Sequence, residues 1–430
     1  MKCQKYTEEV FDSPLSLVHG WDELGALLKI KTKYLSWVGG KDKNGSLRRN
    51  HMQHLVKVKG RDTYKSDTTL ARIQTALNIP FDQIQDSFPH EHLLAYRKGV
   101  NYKKELQKYL GRKYMVHCDI KGYFDNISMR KIVKTLCALG AMSEAGAKLI
   151  ARYCIVRRRQ SDRWVHTLQQ GSPCSALLSN LVGYALYDRD ILAWVARKQK
   201  EYPRASLEYV RYCDNLVLFV DGDAPLELIK EYRQYVHVVM SRRGFQTHKW
   251  SVTPKNHPFR NQRFLGVVLN VKARVDLERF QRIRAALFNA CRTSVTEAAN
   301  TYFSLYPFRA AEFPTENVGE DRAVFAITQH ARDEQFLSIM RGHVAYIDSV
   351  SKEQGSLLKK LFQACVFLRE NPQGVSQRLA EPVFLALKTY NRKVESVEVF
   401  LERLSSACSR TRNSSESLTQ ENTGHWESVL

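Results

Sequence analysis

An α+β fold is expected for this chain, with strands gathered in its middle and helices towards its C-terminus. Three observations predict it. Two runs rich in β-branched and aromatic residues, KYMVHCDI (113–120) and EYVRYCDNLVLFV (208–220), have the composition of buried strands. Apolar residues at helical spacing dominate residues 277–310 and 320–405. The 430 residues, 43% of them hydrophobic, suffice for two or three packed subdomains.

Taken in order, residues 1–110 mix short helical patterns with a basic, Gly-containing stretch, GGKDKNGSLRR (39–49), which predicts an exposed hairpin or loop. TTLARIQTALNI (68–79) predicts a helix capped by Thr or Asp. A strand ends at Asp119, and residues 208–220 form two strands around a turn at Cys213–Asn215. Residues 225–243 are helical in pattern, and RFLGVVLNV (263–271) predicts one further strand. From Ser409 the chain is rich in Ser, Thr, Asn and Glu, as flexible tails are.

Lys and Arg outnumber Asp and Glu by 66 to 44, a net charge of +22. Such an excess repels itself in isolation and suits a polyanionic partner. Nine cysteines occur without any CxxC pair, which argues against a zinc finger and for reduced thiols in a cytosol. MKCQKYTEEVFDSP lacks the apolar core of a signal peptide, and no apolar run approaches the ~20 residues that span a bilayer. A cytoplasmic protein without membrane contact is therefore expected.

Three segments carry the chemistry: HCDIKGYFDNIS (117–128), LQQGSPCSALLSNLVGYALYD (168–188) and YCDN (212–215). Phosphoryl transfer asks for ions that neutralise the attacking and leaving oxygens, and carboxylates at the ends of adjacent strands can hold such ions rigidly. In this order the segments resemble motifs A, B and C of reverse transcriptases. RRGFQTHKW (242–250) resembles motif D, RFLGVVL (263–269) the primer grip, and AYRKGVNYKKELQKYL (95–110) the stretch before motif A in retron and group II intron enzymes. The resemblance spans roughly residues 65–290.

That resemblance implies a fold and a set of residue roles. The fold is a right hand of fingers, palm and thumb with a helical C-terminal extension. Residues 1–110 are the N-terminal region and fingers, 111–275 the palm with part of the fingers, and 276–430 the thumb and extension, its tail from about 409 flexible. Asp119, the Ile120 that comes after it, and Asp214 would hold two Mg²⁺ ions, with Mn²⁺ as an alternative. Phe124 would stack under the sugar and exclude a 2′-hydroxyl. Gln170 and Gly171 would meet the incoming nucleotide, with Ser172 and Pro173 opening the next helix. Lys249 would protonate or screen the leaving pyrophosphate, and Arg72 would touch the triphosphate. Phe264, Leu265 and Gly266 would shape the primer grip. Arg157, Arg158 and Arg159 form either a phosphate track or a solvated face. In the first thumb helix Leu277, Phe280, Ile283, Ala286 and Leu287 make an apolar stripe, and Arg279, Arg282, Arg284 and Arg292 leave a basic surface for the duplex.

One position departs from the family pattern. Motif C normally ends in two aspartates, and here the second is Asn215. Asparagine keeps the shape and an oxygen but loses a charge, so reduced activity is expected. An engineered substitution, a natural variant and an inactive relative all fit that change. Without nuclease, integrase or Cys-rich segments, the chain is most similar to stand-alone defence-associated reverse transcriptases. That implies dNTP substrates, a structured noncoding RNA as template and scaffold, a cDNA product, and a role in antiphage defence. Two alternatives stay open: a maturase-like RNA-binding protein with weak or no polymerase activity, and an enzyme that adds nucleotides without a template.

Overall fold

In the computed structural model the described residues run from 13 to 370, apart from 42, 44–46, 59–60, 141, 161, 258–259 and 307–321. They fall into two compact units, Met1–Gln262 and Arg263–Leu430. The expected helix beyond 370 and the tail from 409 lie outside the described residues.

The first unit opens with α1 (Trp21–Leu28) and α2 (Thr32–Gly39). The basic stretch after α2 is closed by an isolated antiparallel bridge, Lys41↔Leu47. A regular hairpin comes later than the sequence predicts it: β1 (Gln53–Val58) pairs with β2 (Arg61–Ser66). Charged and small polar residues hide its alternation. α3 (Thr68–Ala76) is next, and the Asp67 carboxylate caps it by accepting from the Leu70 N–H at 2.8 Å. α4 (Asn78–Asp86) and the single turn α5 (Tyr102–Glu105) lead into β3 (Tyr114–Ile120).

β3 lies inside an antiparallel four-stranded sheet of order β6-β7-β3-β8, made with β6 (Ala205–Tyr212), β7 (Asn215–Gly222) and β8 (Thr247–Pro254). Between β3 and β6 come α6 (Met129–Leu139), α7 (Glu144–Cys154), the hairpin β4 (Ile155–Gln160)–β5 (Arg163–Leu168), α8 (Ser175–Gly183) and α9 (Arg189–Glu201), the last two joined by a π-helical turn at Tyr184–Asp188. α10 (Leu226–Arg242) joins β7 to β8. Leu216, Val217, Leu218, Phe219 and Val220 are all buried, so β7 has both faces covered and reads as a continuous apolar run. On β3 the alternate residues Val116, Cys118 and Ile120 enter the core with Leu178, Leu181 and Tyr187. The other face of β3 is thereby left for His117 and Asp119.

In the second unit, the expected single strand 263–271 is instead a tight hairpin. β9 (Arg263–Phe264) turns at Leu265 and Gly266 into β10 (Val267–Val268), which also pairs with β11 (Arg274–Val275). Both turn residues have positive φ, 51° and 79°, the backbone of a two-residue turn, and glycine supplies the second at no steric cost. The division between the two compact units falls before this hairpin. α11 (Leu277–Arg292), α12 (Val295–Leu305), α13 (Arg322–Val350) and α14 (Lys352–Glu370) complete the unit's described helices. On α11 the buried stripe is Ile283, Leu287, Ala290 and Cys291, whereas Leu277, at the open first turn, is exposed. No described helix is long and apolar enough to cross a membrane.

Candidate active site

β6 and β7 turn in two residues, Cys213 and Asp214, between the paired Tyr212 and Asn215. Cys213 takes a left-handed φ of 57° there. β3 pairs along β7 up to Asp119↔Asn215, and beyond that pair the Ile120 N–H donates to the Asp214 carbonyl at 2.8 Å. Strands almost a hundred residues apart in sequence thus bring Asp119 and Asp214 to one end of one sheet. Directly opposite residues share a sheet face, so Asp119 and Asn215 face the same side.

The surrounding contacts are specific. The register of β3 against β8 shifts between His117 and Asp119, a bulge that re-aims the strand end. His248 Nδ1 donates to the Asp119 carbonyl at 3.2 Å, and Lys249, with a φ of 53°, places its ammonium 3.7 Å from the Asp119 carboxylate. Asn215 Nδ2 donates to Asp214 Oδ1 at 2.9 Å, while Asn215 Oδ1 accepts from His117 Nε2 at 2.9 Å. Burial, with the charge of Asp214 beside it, pushes the Cys213 thiol up to about 12, which disfavours the thiolate. Lys131 ties the loop after Asp119 to the turn before β8. Its ammonium donates to the carbonyls of Asn126 (2.8 Å) and Gly244 (3.0 Å) and lies 3.7 Å from the Phe245 ring centre, and burial lowers its pKa to about 8.

Beneath the turn lies a buried ion pair. Arg211 and Asp188 are both 0% exposed, with Arg211 Nη2 2.7 Å from Asp188 Oδ2. Tyr209 and His92 also donate to that carboxylate, and Arg211 reaches the Cys213 carbonyl at 3.3 Å. Burial alone would raise the Asp188 carboxyl, but Arg211 and His92 hold it well below the usual carboxylate range. A side chain at Gly183 would collide with the guanidinium, since an added Cβ would sit 2.6 Å from Arg211 Cζ. Sequence reading missed this network, although a charge inside the apolar run YVRY was its signal, because buried charges must be paired.

Gln170 and Gly171 are held by the β1–β2 hairpin. The Gln170 carbonyl accepts from the Tyr64 N–H at 2.9 Å, and Gly171, with φ 97°, packs so closely on β2 that a Cβ would meet Thr63 Cγ2 at 2.6 Å and the Tyr64 carbonyl at 2.9 Å. The close approach that demands this glycine is therefore to the chain's own β2. Gln169, not singled out from the sequence, is fully buried: its Nε2 donates to the Tyr64 carbonyl (3.0 Å) and Ser66 Oγ (2.9 Å), and its Oε1 accepts from Gln53 (2.6 Å) and Gln74 (3.0 Å).

The other expected residues are more dispersed. Phe124 is half-buried, edge-on to Tyr123 at 5.7 Å. Arg72 is exposed on α3. The three arginines of β4 do not share a face: Arg158 pairs with Asp125, next to Phe124, whereas Arg157 stacks on Trp164 at 4.4 Å and Arg159 lies 3.7 Å from Asp162. In the second unit Phe264 is buried and the Leu265 carbonyl accepts from Tyr346 at 3.1 Å. Arg279 lies over the Tyr346 ring (4.2 Å) beside His343 (3.1 Å), and Arg282 over Tyr306 (5.2 Å), so both are half-buried against their own unit, while Arg284 and Arg292 are exposed.

Among the described residues no three His, Cys, Asp or Glu side chains converge on a metal-sized site. Two aspartates at one sheet end offer hard oxygen donors without closing the coordination shell. That donor set fits Mg²⁺ or Mn²⁺, which keep positions for water and phosphate.

Residues 52–269 match the family model described as reverse transcriptase (RNA-dependent DNA polymerase). The retron Mx65 reverse transcriptase of Myxococcus xanthus is 26% identical over 225 residues, 49% of this chain and 48% of that protein, so the chain spans about half the length of the curated relative it matches. Loose structural likenesses include telomerase from Candida albicans in complex with a TWJ fragment of telomeric RNA, with a TM-score of 0.37, 9% identity, and coverage of 68% of this chain and 57% of that one. Apo telomerase from Candida tropicalis has a TM-score of 0.37 and 11% identity, covering 76% and 67%.

Proposed function

Since the chain belongs to the reverse transcriptase (RNA-dependent DNA polymerase) family, we propose that it copies RNA into DNA at the sheet end that carries Asp119 and Asp214. The observation that carries this reading is the pairing of Asp119 with Asn215, together with the Ile120–Asp214 backbone bond. Asp119, the Ile120 carbonyl and Asp214 would hold two Mg²⁺ ions, or Mn²⁺. Bound there, the ions supply neutralisation of the attacking and leaving oxygens. Phe124 sits under the sugar and rejects a 2′-hydroxyl. Gln170 orients the incoming dNTP. Lys249 screens or protonates the leaving pyrophosphate, and Arg72 contacts the triphosphate. Phe264, Leu265 and Gly266 form the primer grip, and Arg157, Arg159, Arg279 and Arg282 contribute to nucleic-acid contacts.

The partner is a structured noncoding RNA that serves as template and scaffold, the product is cDNA, and the setting is antiphage defence in the cytoplasm. The net charge of +22 supports a polyanionic partner. A maturase-like RNA-binding protein is the second reading, and Asn215 favours it, because one carboxylate fewer should weaken ion binding and slow the reaction.

The test is to purify the chain from its own cells, sequence the co-purified RNA, add dNTPs and Mg²⁺, and sequence any DNA made. Wild type should extend DNA on the bound RNA, and Asp119→Asn and Asp214→Asn should not. RNA held specifically with no DNA made would favour the maturase reading, and equal synthesis by Asp119→Asn would end the assigned site. Phe124→Ala should admit rNTPs in the same assay; an unchanged dNTP-to-rNTP ratio would remove its role as a gate.

A further inference from the structure

We infer that His117 is a positioning residue, acting through the Asn215 amide to set the Asp214 carboxylate for metal binding. The inference rests on the polymerase reading of this sheet end and deepens it. Its basis is a chain of two hydrogen bonds. Asn215 Nδ2 lies 2.9 Å from Asp214 Oδ1, and Asn215 Oδ1 lies 2.9 Å from His117 Nε2.

An ionised carboxylate can only accept, so the group facing Asp214 must be the amide NH₂. The amide oxygen therefore faces His117, and the proton must sit on His117 Nε2 for that contact to be a bond. With the proton on Nε2, a flipped amide would lose both bonds, and in either tautomer it would lose the one to Asp214. An aspartate at 215 could still accept from the imidazole, but it could not donate to Asp214.

The strand geometry places the three groups for this task. His117 and Asp119 are two residues apart on β3 and lie on one face, and Asn215 stands directly opposite Asp119 on β7. The alternate β3 residues, Val116 and Cys118, are buried on the other face, so a register slip that moved His117 would drag it into the core. The bulge between His117 and Asp119 lies on the β8 side and leaves the β7 pairing regular. In metal sites, groups that orient a ligand through a hydrogen bond commonly change metal affinity by roughly 10–100-fold when removed. Asn215 thereby gains a role that a lost charge alone would not assign, because it holds its neighbour's carboxylate in one orientation.

The test measures Mn²⁺ uptake by electron paramagnetic resonance of the free hydrated ion, on the full chain without nucleic acid. The variants are His117→Phe, Asn215→Ala and the pair together, with thermal melting run on each. Both single variants should bind Mn²⁺ roughly tenfold or more weakly, by similar factors, and the double variant should be no weaker than Asn215→Ala, because the two residues act in series. His117→Gln, which keeps an N–H donor, should recover part of the loss. Wild-type Mn²⁺ binding by His117→Phe, or losses that multiply in the double variant, would overturn the inference. If His117→Phe does not fold, His117→Ala removes the same donor and is judged by the same criteria. A wild-type chain that takes up no Mn²⁺ also overturns it, whatever primer extension shows. Conversely, a wild type that binds Mn²⁺ with this pattern but makes no DNA on any RNA sinks the polymerase reading and leaves the positioning role standing.

Discussion

The two loops that frame the candidate site rest on different foundations. The Cys213–Asp214 turn sits on a buried charge pair, Arg211 and Asp188, completed by Tyr209, His92 and Asn180. The Gln169–Gly171 loop sits on neutral amides and carbonyls, with Gln169 at the centre and Gln53, Gln74, Tyr64 and Ser66 around it. A buried ion pair is costly to desolvate, and loss of either member leaves a charge without compensation. A neutral network spreads its stabilisation over many modest bonds. The charged base suits a turn whose carboxylate has one correct position. The neutral base suits a loop that must tie together β1, β2, α3 and the end of α7.

The largest effect should come from breaking the charged base on one side. Arg211→Met should destabilise the first unit by about 3–5 kcal/mol, because Asp188 would stay buried without the guanidinium, left with only His92 and Tyr209 as donors. Denaturant unfolding measures this, and a loss below about 1 kcal/mol would mean that the pair is not a foundation. Arg211→Met combined with Asp188→Leu should recover much of the loss, since an apolar pair carries no stranded charge.

The two foundations should also part company in acid. The Asp188 carboxyl is held below its ordinary value, so its contribution is complete above the unfolded carboxylate pKa of ~3.9 and is lost as the pH falls through and below that value. Stability of wild type should therefore drop below about pH 5 more steeply than that of the Arg211→Met, Asp188→Leu double variant. Parallel acid limbs would remove Asp188 as the source.

On the neutral side, Gln169→Leu should cost about 1–3 kcal/mol through stranded buried partners, with no change in the acid limb. A pH-dependent loss would show that the two networks are coupled. Gly171→Ala should cost at least the about 1–2 kcal/mol of an alanine forced to positive φ, since an added Cβ would also press onto the Tyr64 carbonyl. It should also lower dNTP incorporation by displacing Gln170, and unchanged kinetics would detach this loop from nucleotide binding.

Much of this molecule was legible before its structure. Strand composition located β3, β6 and β7 and placed a turn between the last two at Cys213–Asn215, of which Asn215 proves to be the first paired residue of β7. The helical pattern after a Thr or Asp cap located α3, with Asp67 the cap. These are local properties, written in a few consecutive residues, and motif order then tied Asp119 to Asp214. Polar, charged strands such as β1, β2, β4 and β5 were not legible, because a two-stranded ribbon that is exposed, as β1–β2 is, or buried only at its base, as β4–β5 is at Ile155, Val156, Thr167 and Leu168, needs no apolar alternation. The 263–271 run looked like one strand because Leu265 gives no sign of a positive φ.

The fate of each charge was decided only by the tertiary structure. From the sequence alone Arg157, Arg158, Arg159, Arg211, Arg279 and Arg282 are equivalent cations. In the fold Arg211 is buried on Asp188, Arg158 is matched by Asp125, and Arg157, Arg279 and Arg282 lie over aromatic rings. The same holds for Gln169, buried, and its neighbour Gln170, half-buried, and for Asn215, whose amide has a partner at each end. The physical reason is distance along the chain. A side chain's role depends on what covers it and what it can bond, and for these residues the partners lie as far as 116 positions away, as Gln53 does from Gln169. No local pattern encodes them.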